Sequence, residues 1–273
     1  MQKYSEKTSP WYSYSNLIHK IMISENVTTI GSHAFYECHW LTSIDLPDSI
    51  TSIGDSAFDC CLRLESITIP EGVTSIGEYA FRGCSSLTSI TIPENVICIE
   101  KDTFGGCSSL TSITIPEGVT TIGIKAFSGC SSLRSITIPN SVTYIGEQAF
   151  DFCYNIERIN VQEDNLHYGF DGNCLITSDG YLLVGFKNCV IPTDGKVTRI
   201  MSWAFHSNDS LTSIVIPSSV THIGNYTFVD CKNLTTINFE GTIEQWSAVT
   251  GDRRWISHTL VTHVHCIDGD VAL

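Results

Sequence analysis

His263, His265 and Cys266 carry the residue types that ligate transition metals, and on a strand the two histidines would share one face. A closed site needs a third and a fourth ligand, and none stands nearby in the sequence, so the segment reads as an ordinary strand without a metal. The twelve cysteines are a second source of chemistry. A nucleophilic thiol needs a base that it meets in space rather than along the chain. Yet Cys38, Cys61, Cys84, Cys107, Cys130, Cys153 and Cys231 recur at one repeat position, which Asn208 fills in the remaining copy. Cysteine and asparagine exchanging at one site points to a buried turn that takes a small side chain able to bond the backbone. One cysteine per rung pairs awkwardly, so these are expected to be buried free thiols. Cys60, Cys98 and Cys174 have no distinctive context. Asp48, Glu71, Glu94 and Glu117 follow a proline at repeat spacing. They would form a negative stripe able to attract Ca2+ weakly, but are expected to be solvated turn residues. No P-loop, dinucleotide fingerprint or EF-hand loop is present.

The elements that position these residues come from a repeat. Ile30, Ile53, Ile76, Ile99, Ile122 and Ile145 fall 23 residues apart, and Phe35, Phe58, Phe81, Phe104, Phe127 and Phe150 keep the same step. A fixed period of this size predicts a solenoid, each repeat one coil stacked on its neighbours. In LTSITIP, Leu87, Ile90 and Ile92 point inward while Ser89 and Thr91 alternate outward. Pro93 cannot donate a ladder hydrogen bond and closes the strand. Val96 and Ile99 start a second extended piece. The glycine after the isoleucine in most copies (Gly31, Gly54, Gly77, Gly123, Gly146, Gly224) predicts a bend with unusual backbone angles. Ala80-Phe81 and its equivalents read as a single helical turn that drops the phenylalanine into the core. Strands are expected near Ile18, Leu41, Leu64, Leu87, Leu110, Leu133, Ile156, Phe186, Leu211 and Leu234. In the Phe186 rung, Cys189 and Ile191 fit the strand template, and Cys189 reads as another core residue.

One coil breaks the pattern. Between Val161 and Phe186 two apolar runs, CLI and YLLV, flank Ser178-Asp179-Gly180, a hairpin turn signal. Residues 163–185 are therefore read as a β-hairpin replacing half of a coil, which either carries a functional surface or only alters the solenoid's course. Residues 1–17, with Trp11, Tyr12 and Tyr14, would cap one end. Residues 241–273 would cap the other, with an N-capped helix after Thr242, a final strand through Val261, Val264 and Ile267, and Trp246 and Trp255 over the last rung. Between them, residues 18–240 form the solenoid.

A composition of 42 % hydrophobic and 16 % charged residues suits a well-packed chain. The net charge of -14 disfavours nucleic acid and anionic membrane surfaces. No apolar run approaches the roughly 20 residues needed to span a bilayer, and MQKYSEKTSPWYSY lacks the apolar core of a signal peptide.

The motif LTSITIPxxVTxIGxxAFxGCSS resembles the BspA-like leucine-rich repeats of bacterial surface proteins over roughly residues 17 to 240, and SPWYSY, DGNCLI and GTIEQW followed by VHC are similar to segments of that family. The resemblance implies an α/β leucine-rich-repeat solenoid, curved, with a parallel sheet, short helical turns and a hairpin insertion. It also implies a secreted or surface-attached protein that acts in adhesion and host interaction rather than catalysis. In such proteins the SPWYSY segment lies inside a larger cap that follows a signal peptide, so the start here is expected to be truncated.

The outward files Ser43, Ser66, Ser89, Ser112, Ser135 and Asp45, Thr68, Thr91, Thr114, Thr137 are small and uniform, whereas binding hot spots favour Trp, Tyr and Arg. Larger groups arrive with Arg134, Arg158 and Asn160, followed by His167, Tyr168, Phe170 and Tyr181 of the hairpin; these seven are the candidate partner-binding residues. The expected function is a monomeric, non-catalytic recognition module for protein or glycan on a host or neighbouring cell, needing no cofactor. A spacer presenting another domain is the alternative, and an enzyme a more distant one.

Overall fold

The structure, a computed structural model, describes residues 8–251 and 253–273; residues 1–7 of the expected N-terminal cap lie outside that description. The chain divides into two compact units, Met1–Asn155 and Ile156–Leu273. Each is a parallel β-solenoid.

In the N-terminal unit the alternation seen in LTSITIP becomes burial: Leu87, Ile90 and Ile92 are inside while Ser89 and Thr91 are exposed. The strands Lys20–Met22, Ser43–Asp45 and Ser66–Ile67 pair in parallel with Ile21, Ile44 and Ile67 in register, as do Ser89–Thr91 and Ser112–Thr114. A second file of two-residue strands aligns Ile30, Ile53 and Ile76, and then Ile99, Ile122 and Ile145. Like residues stack on like because the 23-residue period brings each back to the same place.

Two local expectations are corrected. The Ala-Phe segment is a train of reverse turns, not a helical turn. Ala80 N–H donates to Gly77, Arg82 to Tyr79 and Cys84 to Phe81, with Tyr79 (φ 59°) and Gly83 (φ 70°) left-handed between them. Left-handed residues cannot continue a right-handed helix. They turn their N–H groups to the next coil instead, Tyr79 to Lys101 O and Gly83 to Gly105 O. The glycine after the isoleucine is needed for space, not for its angles. Gly54 and Gly123 have no positive φ, but a Cβ on either would strike backbone atoms of the preceding coil.

The core is a stack of rings. Phe35, Phe58, Phe81, Phe104, Phe127 and Phe150 follow one another at 5.3 to 5.8 Å, and Trp11 covers the first at 5.6 Å. Trp11 Nε1 also donates to Ala34 O, and Tyr12 Oη lies 3.0 Å from Glu37 Oε2; Tyr14, on the 3-10 helix Tyr12–Leu17, stays exposed. Beside the rings run the free cysteines. Cys61, Cys84, Cys107, Cys130 and Cys153 each give Sγ–H to the phenylalanine carbonyl one coil back, at 3.1 to 3.3 Å. Each fully buried phenylalanine contributes roughly 1.5–3 kcal/mol.

In the C-terminal unit the strands Ser213–Ile216, Thr236–Phe239 and His263–Cys266 align Ile214, Ile237 and Val264, and Arg199–Ile200 pairs with His222–Ile223. The helix Ile243–Ala248 has a full capping box: Gln245 N–H donates to Thr242 Oγ1 and Thr242 N–H to Gln245 Oε1. Trp246 and Trp255 close this end against Phe239 and Phe228 at 5.2 and 5.8 Å. The final strand turns back at Ile267-Asp268 into a second strand, Gly269–Ala272, and Ile267 is exposed.

The expected strand at Phe186 does not form. Phe186, Cys189 and Ile191 are buried as the pattern required, but Asn188 is left-handed (φ 58°) and Cys189 N–H donates to Phe186 O at 3.1 Å. Phe186-Lys-Asn-Cys189 thus repeats the reverse turn Phe81-Arg-Gly-Cys84, not the strand.

Candidate functional site

The interrupted coil begins with the strand Arg158–Val161 and goes on as a three-stranded antiparallel meander, Tyr168–Asp171, Cys174–Thr177 and Tyr181–Gly185. The hairpin about Ser178-Asp179-Gly180 is as expected, with Gly180 at φ 82° and its N–H on Thr177 O. The preceding strand was not read from the sequence, although Gly172-Asn173 is a two-residue turn signal and both residues have positive φ (55° and 59°). The last strand rejoins the solenoid by pairing in parallel with Arg199–Ile200, Leu182 beside Ile200. Gly185, one residue before the turn phenylalanine Phe186, makes the inter-coil backbone bond that phenylalanine makes in other coils, its N–H donating to Ala204 O at 2.8 Å. The Phe205 ring fills the space a side chain would need, and Asn208 Nδ2 donates to Gly185 O at 3.3 Å. That bond matches the one from Cys231 Sγ to Phe205 O, and explains why asparagine and cysteine exchange.

The meander is pinned to the following turn. Val190 N–H donates to Gly172 O, Phe186 N–H to Asn173 O and Asn173 Nδ2 to Lys187 O, at 2.7 to 3.1 Å. Cys174 and Cys189 form a disulfide across the same contact, their Cα atoms 5.9 Å apart. Cys189 is therefore more than a core residue and Cys174 has a context after all. Both were misread because the partners belong to an irregular coil in which repeat position predicts no neighbour.

Two hollows adjoin the first meander strand. A cleft of about 270 Å³ brings Arg158, Asn160, Tyr168 and Phe170 together, with Gln162, Glu163 and Asn165. A groove of about 630 Å³ also uses Tyr168 and Phe170, and is completed by Asp171, Ile176, the turn 177–180 and Pro192, Asp194, Lys196 and Val197. Four of the seven expected residues thus meet at one place. His167 only neighbours Tyr168, the rings 6.5 Å apart, and Tyr181 lies under the Arg199 guanidinium at 5.5 Å, outside both hollows. Arg134 is exposed in the N-terminal unit. The far wall, Pro192 to Val197, was not foreseen, since no turn or aromatic signal marks it.

The buried thiols are shifted away from the thiolate form. Burial pushes the Cys38, Cys130 and Cys231 thiols up to about 12, and the Cys61, Cys84, Cys107 and Cys153 thiols well above the usual range. Cys60 is raised to about 11 by burial and Asp59, and Cys98 to about 12 by burial and Glu100. A nucleophilic thiol needs the opposite shift. His263 and His265 are both exposed on one face of their strand; His265 Nδ1 lies 2.8 Å from Asp270 Oδ1 and His263 Nδ1 2.9 Å from Thr262 Oγ1. Among the described residues no three His, Cys, Asp or Glu side chains are placed to hold a metal ion, and no helix is long and apolar enough to cross a membrane. Asp48, Glu71, Glu94 and Glu117 are exposed turn residues, and the outward Ser and Thr files present small side chains only.

Comparison with known proteins places this architecture. The sequence pattern of the BspA type leucine rich repeat region matches residues 9–108, 98–172 and 182–249. No curated protein matches the chain. Among solved structures, a leucine rich cell surface protein from Faecalibacterium prausnitzii is 34% identical with a TM-score of 0.73, over 81% of this chain. This chain spans 60% of that protein's solved length. A leucine-rich repeat protein from Eubacterium ventriosum (22% identical, TM-score 0.55, covering 97% of this chain and 78% of its own) shares the fold. So does the pneumococcal vaccine antigen PcpA (18%, TM-score 0.51, covering 86% and 62%). The chain belongs to the BspA type leucine rich repeat family.

Proposed function

We propose that this chain is a non-catalytic recognition module of a secreted or surface-attached protein, and that it binds a protein or glycan partner at the meander. The observation that carries the reading is the meeting of Arg158, Asn160, Tyr168 and Phe170 at one cleft, where the outward strand files of the regular coils present mainly Ser and Thr. Tyrosine and arginine are the side chains that dominate binding energy, and they concentrate in hollows that exclude water. The raised thiols speak against a covalent mechanism. The disulfide suits an oxidising, extracellular setting, and the surface-protein relative from Faecalibacterium prausnitzii points the same way. Nucleic acid and membrane insertion are left out of the proposal because the charge is -14, and the module is taken to act as a monomer.

The test is a binding screen of the whole chain against extracellular-matrix proteins, mucins and cell-surface glycans, with an Arg158→Ala/Tyr168→Ala variant beside it. A hit that the variant loses, and that Tyr181→Ala keeps, supports the reading. A hit that survives Arg158→Ala/Tyr168→Ala removes the site from the meander, and a panel without hits favours a spacer.

A further inference from the structure

We infer that the 630 Å³ groove beside the meander takes an extended peptide segment carrying lysine or arginine, its side-chain stems on the apolar lining and its charges at the rim. This deepens the recognition reading and rests on it. Phe170, Ile176, Pro192 and Val197 supply the apolar lining. Exposed Asp171, Asp179 and Asp194 edge the groove. Lys196 is the one cation among the described lining residues; Asp194 holds it at 2.6 Å and Asp171 also acts on it electrostatically, so three carboxylates share a single cation and leave the groove with an excess of negative charge. The balance favours a cation over an anion or a neutral ligand. It is local, beyond the general excess of acid along the chain.

Shape points to a peptide. The strand Tyr168–Asp171 runs along the groove, and four extended residues span about 13 Å, a match to a segment of similar length. Lysine and arginine bury their methylene stems on apolar surface while the charged head stays in water, which fits aliphatic walls with acidic edges. A sugar ring instead favours an open aromatic plane, and the Phe170 ring is half-buried with Phe186 against it at 6.2 Å. The groove is also held ready, since Cys174–Cys189 ties the meander to the segment that leads into its far wall. A preformed groove spends less of its binding energy on ordering.

The test uses fluorescence anisotropy of the whole chain with a dye-labelled peptide of alternating lysine and valine, and a twin carrying glutamate for lysine. The lysine peptide is expected to bind at least tenfold more tightly than its twin, and to weaken several-fold as salt rises. Asp171→Asn/Asp179→Asn, with near-identical shape and turn preference, is expected to weaken binding tenfold with an unchanged melting temperature. A control variant, Asp45→Asn/Asp48→Asn in the N-terminal unit, is expected to bind as the parent does. Equal loss in the control would show attraction to overall charge and overturn the inference. So would equal binding of the two peptides, or an undisturbed Asp171→Asn/Asp179→Asn. If neither peptide binds while a glycan or folded protein does, and Tyr168→Ala abolishes that binding, recognition at the meander stands and the basic peptide falls. If every ligand is silent, both fall.

Discussion

The N-terminal coils and the meander meet the same requirement, that each rung satisfy its backbone and bury its apolar side chains, by opposite means. In the N-terminal unit every coil solves the problem identically. Phenylalanine lies on phenylalanine, and thiol bonds carbonyl. The backbone of each turn donates to the next. Such uniformity gives the inside of each coil to packing, and the strand files outside it present mainly small Ser and Thr side chains. In the meander Gly185 takes over the inter-coil backbone bonds of the phenylalanine, a disulfide replaces the thiol bond, and two hairpins precede the turn. The hollows there are lined by unlike side chains, whereas the hollow of about 400 Å³ over the regular coils is lined by the repeated segments 29–32, 52–55 and 75–78. Regularity supplies stability, and its interruption brings unlike side chains together.

The sharpest way to break this contrast is to remove one ring from each region. Phe104 is 1% exposed between two rings, and Phe104→Ala is expected to cost about 3–5 kcal/mol in urea unfolding. Phe170 is only half-buried, and Phe170→Ala is expected to cost about 1 kcal/mol while reducing partner binding. Equal losses of stability would mean that the meander is as structural as the ladder.

The same contrast governs what could be read from the sequence. The solenoid, the inward isoleucines and the cysteine–asparagine exchange were legible because a stacked repeat makes sequence position and spatial neighbour the same thing. Ile44 must lie beside Ile21 and Ile67. Left-handed residues at Tyr79 or Lys125 were not legible, because the side chain there carries no glycine signal. In the meander the logic lapses. Cys189 meets Cys174, and Val197 faces Phe170 across a groove, through contacts that no period encodes. Four of the site residues could be named because aromatic and arginine side chains stand out against Ser and Thr; Asp194 and Lys196 could not.

The disulfide offers a second, smaller separation. Cys174→Ser/Cys189→Ser opens a loop with a sequence separation of 15 and is expected to cost about 3 kcal/mol, and reductant should lower the melting temperature of the parent by a similar measure. The ladder cysteines are unpaired with one another and give no such response. A melting temperature indifferent to reductant would remove the disulfide from the account of the meander.

Alkaline pH should act on the ladder and not on the meander. The Cys130 thiol is raised to about 12 by burial, from an ordinary value of 9.0. The unfolded chain then loses its proton first, so the contribution is full below pH 9 and is lost as pH rises toward about 12. Cys130→Ala lowers stability at neutral pH, yet should flatten the fall above pH 9 by up to about 1.4 kcal/mol per pH unit. Urea midpoints measured across that range decide it; parallel slopes for parent and variant would mean that the thiol is not held protonated by the fold.

The smallest effect tests the junction where the two regimes meet. Asn208 occupies the thiol position but donates to Gly185 of the meander, 3.3 Å away, and its Oδ1 also accepts from the Ser210 hydroxyl at 2.6 Å and the Ser210 N–H at 3.2 Å. Asn208→Ala abandons all three bonds and is expected to cost about 1 kcal/mol. Asn208→Cys restores only the donor toward the coil behind, as Cys231 does toward Phe205, and should recover about half of that loss in the same urea titration. Full recovery would mean that the ladder's single backbone bond is all this position needs, and that the meander's last strand behaves as a regular coil. No recovery would mean that the Ser210 contacts fix the turn, so that the ladder's single backbone bond does not carry over to the coil that faces Gly185.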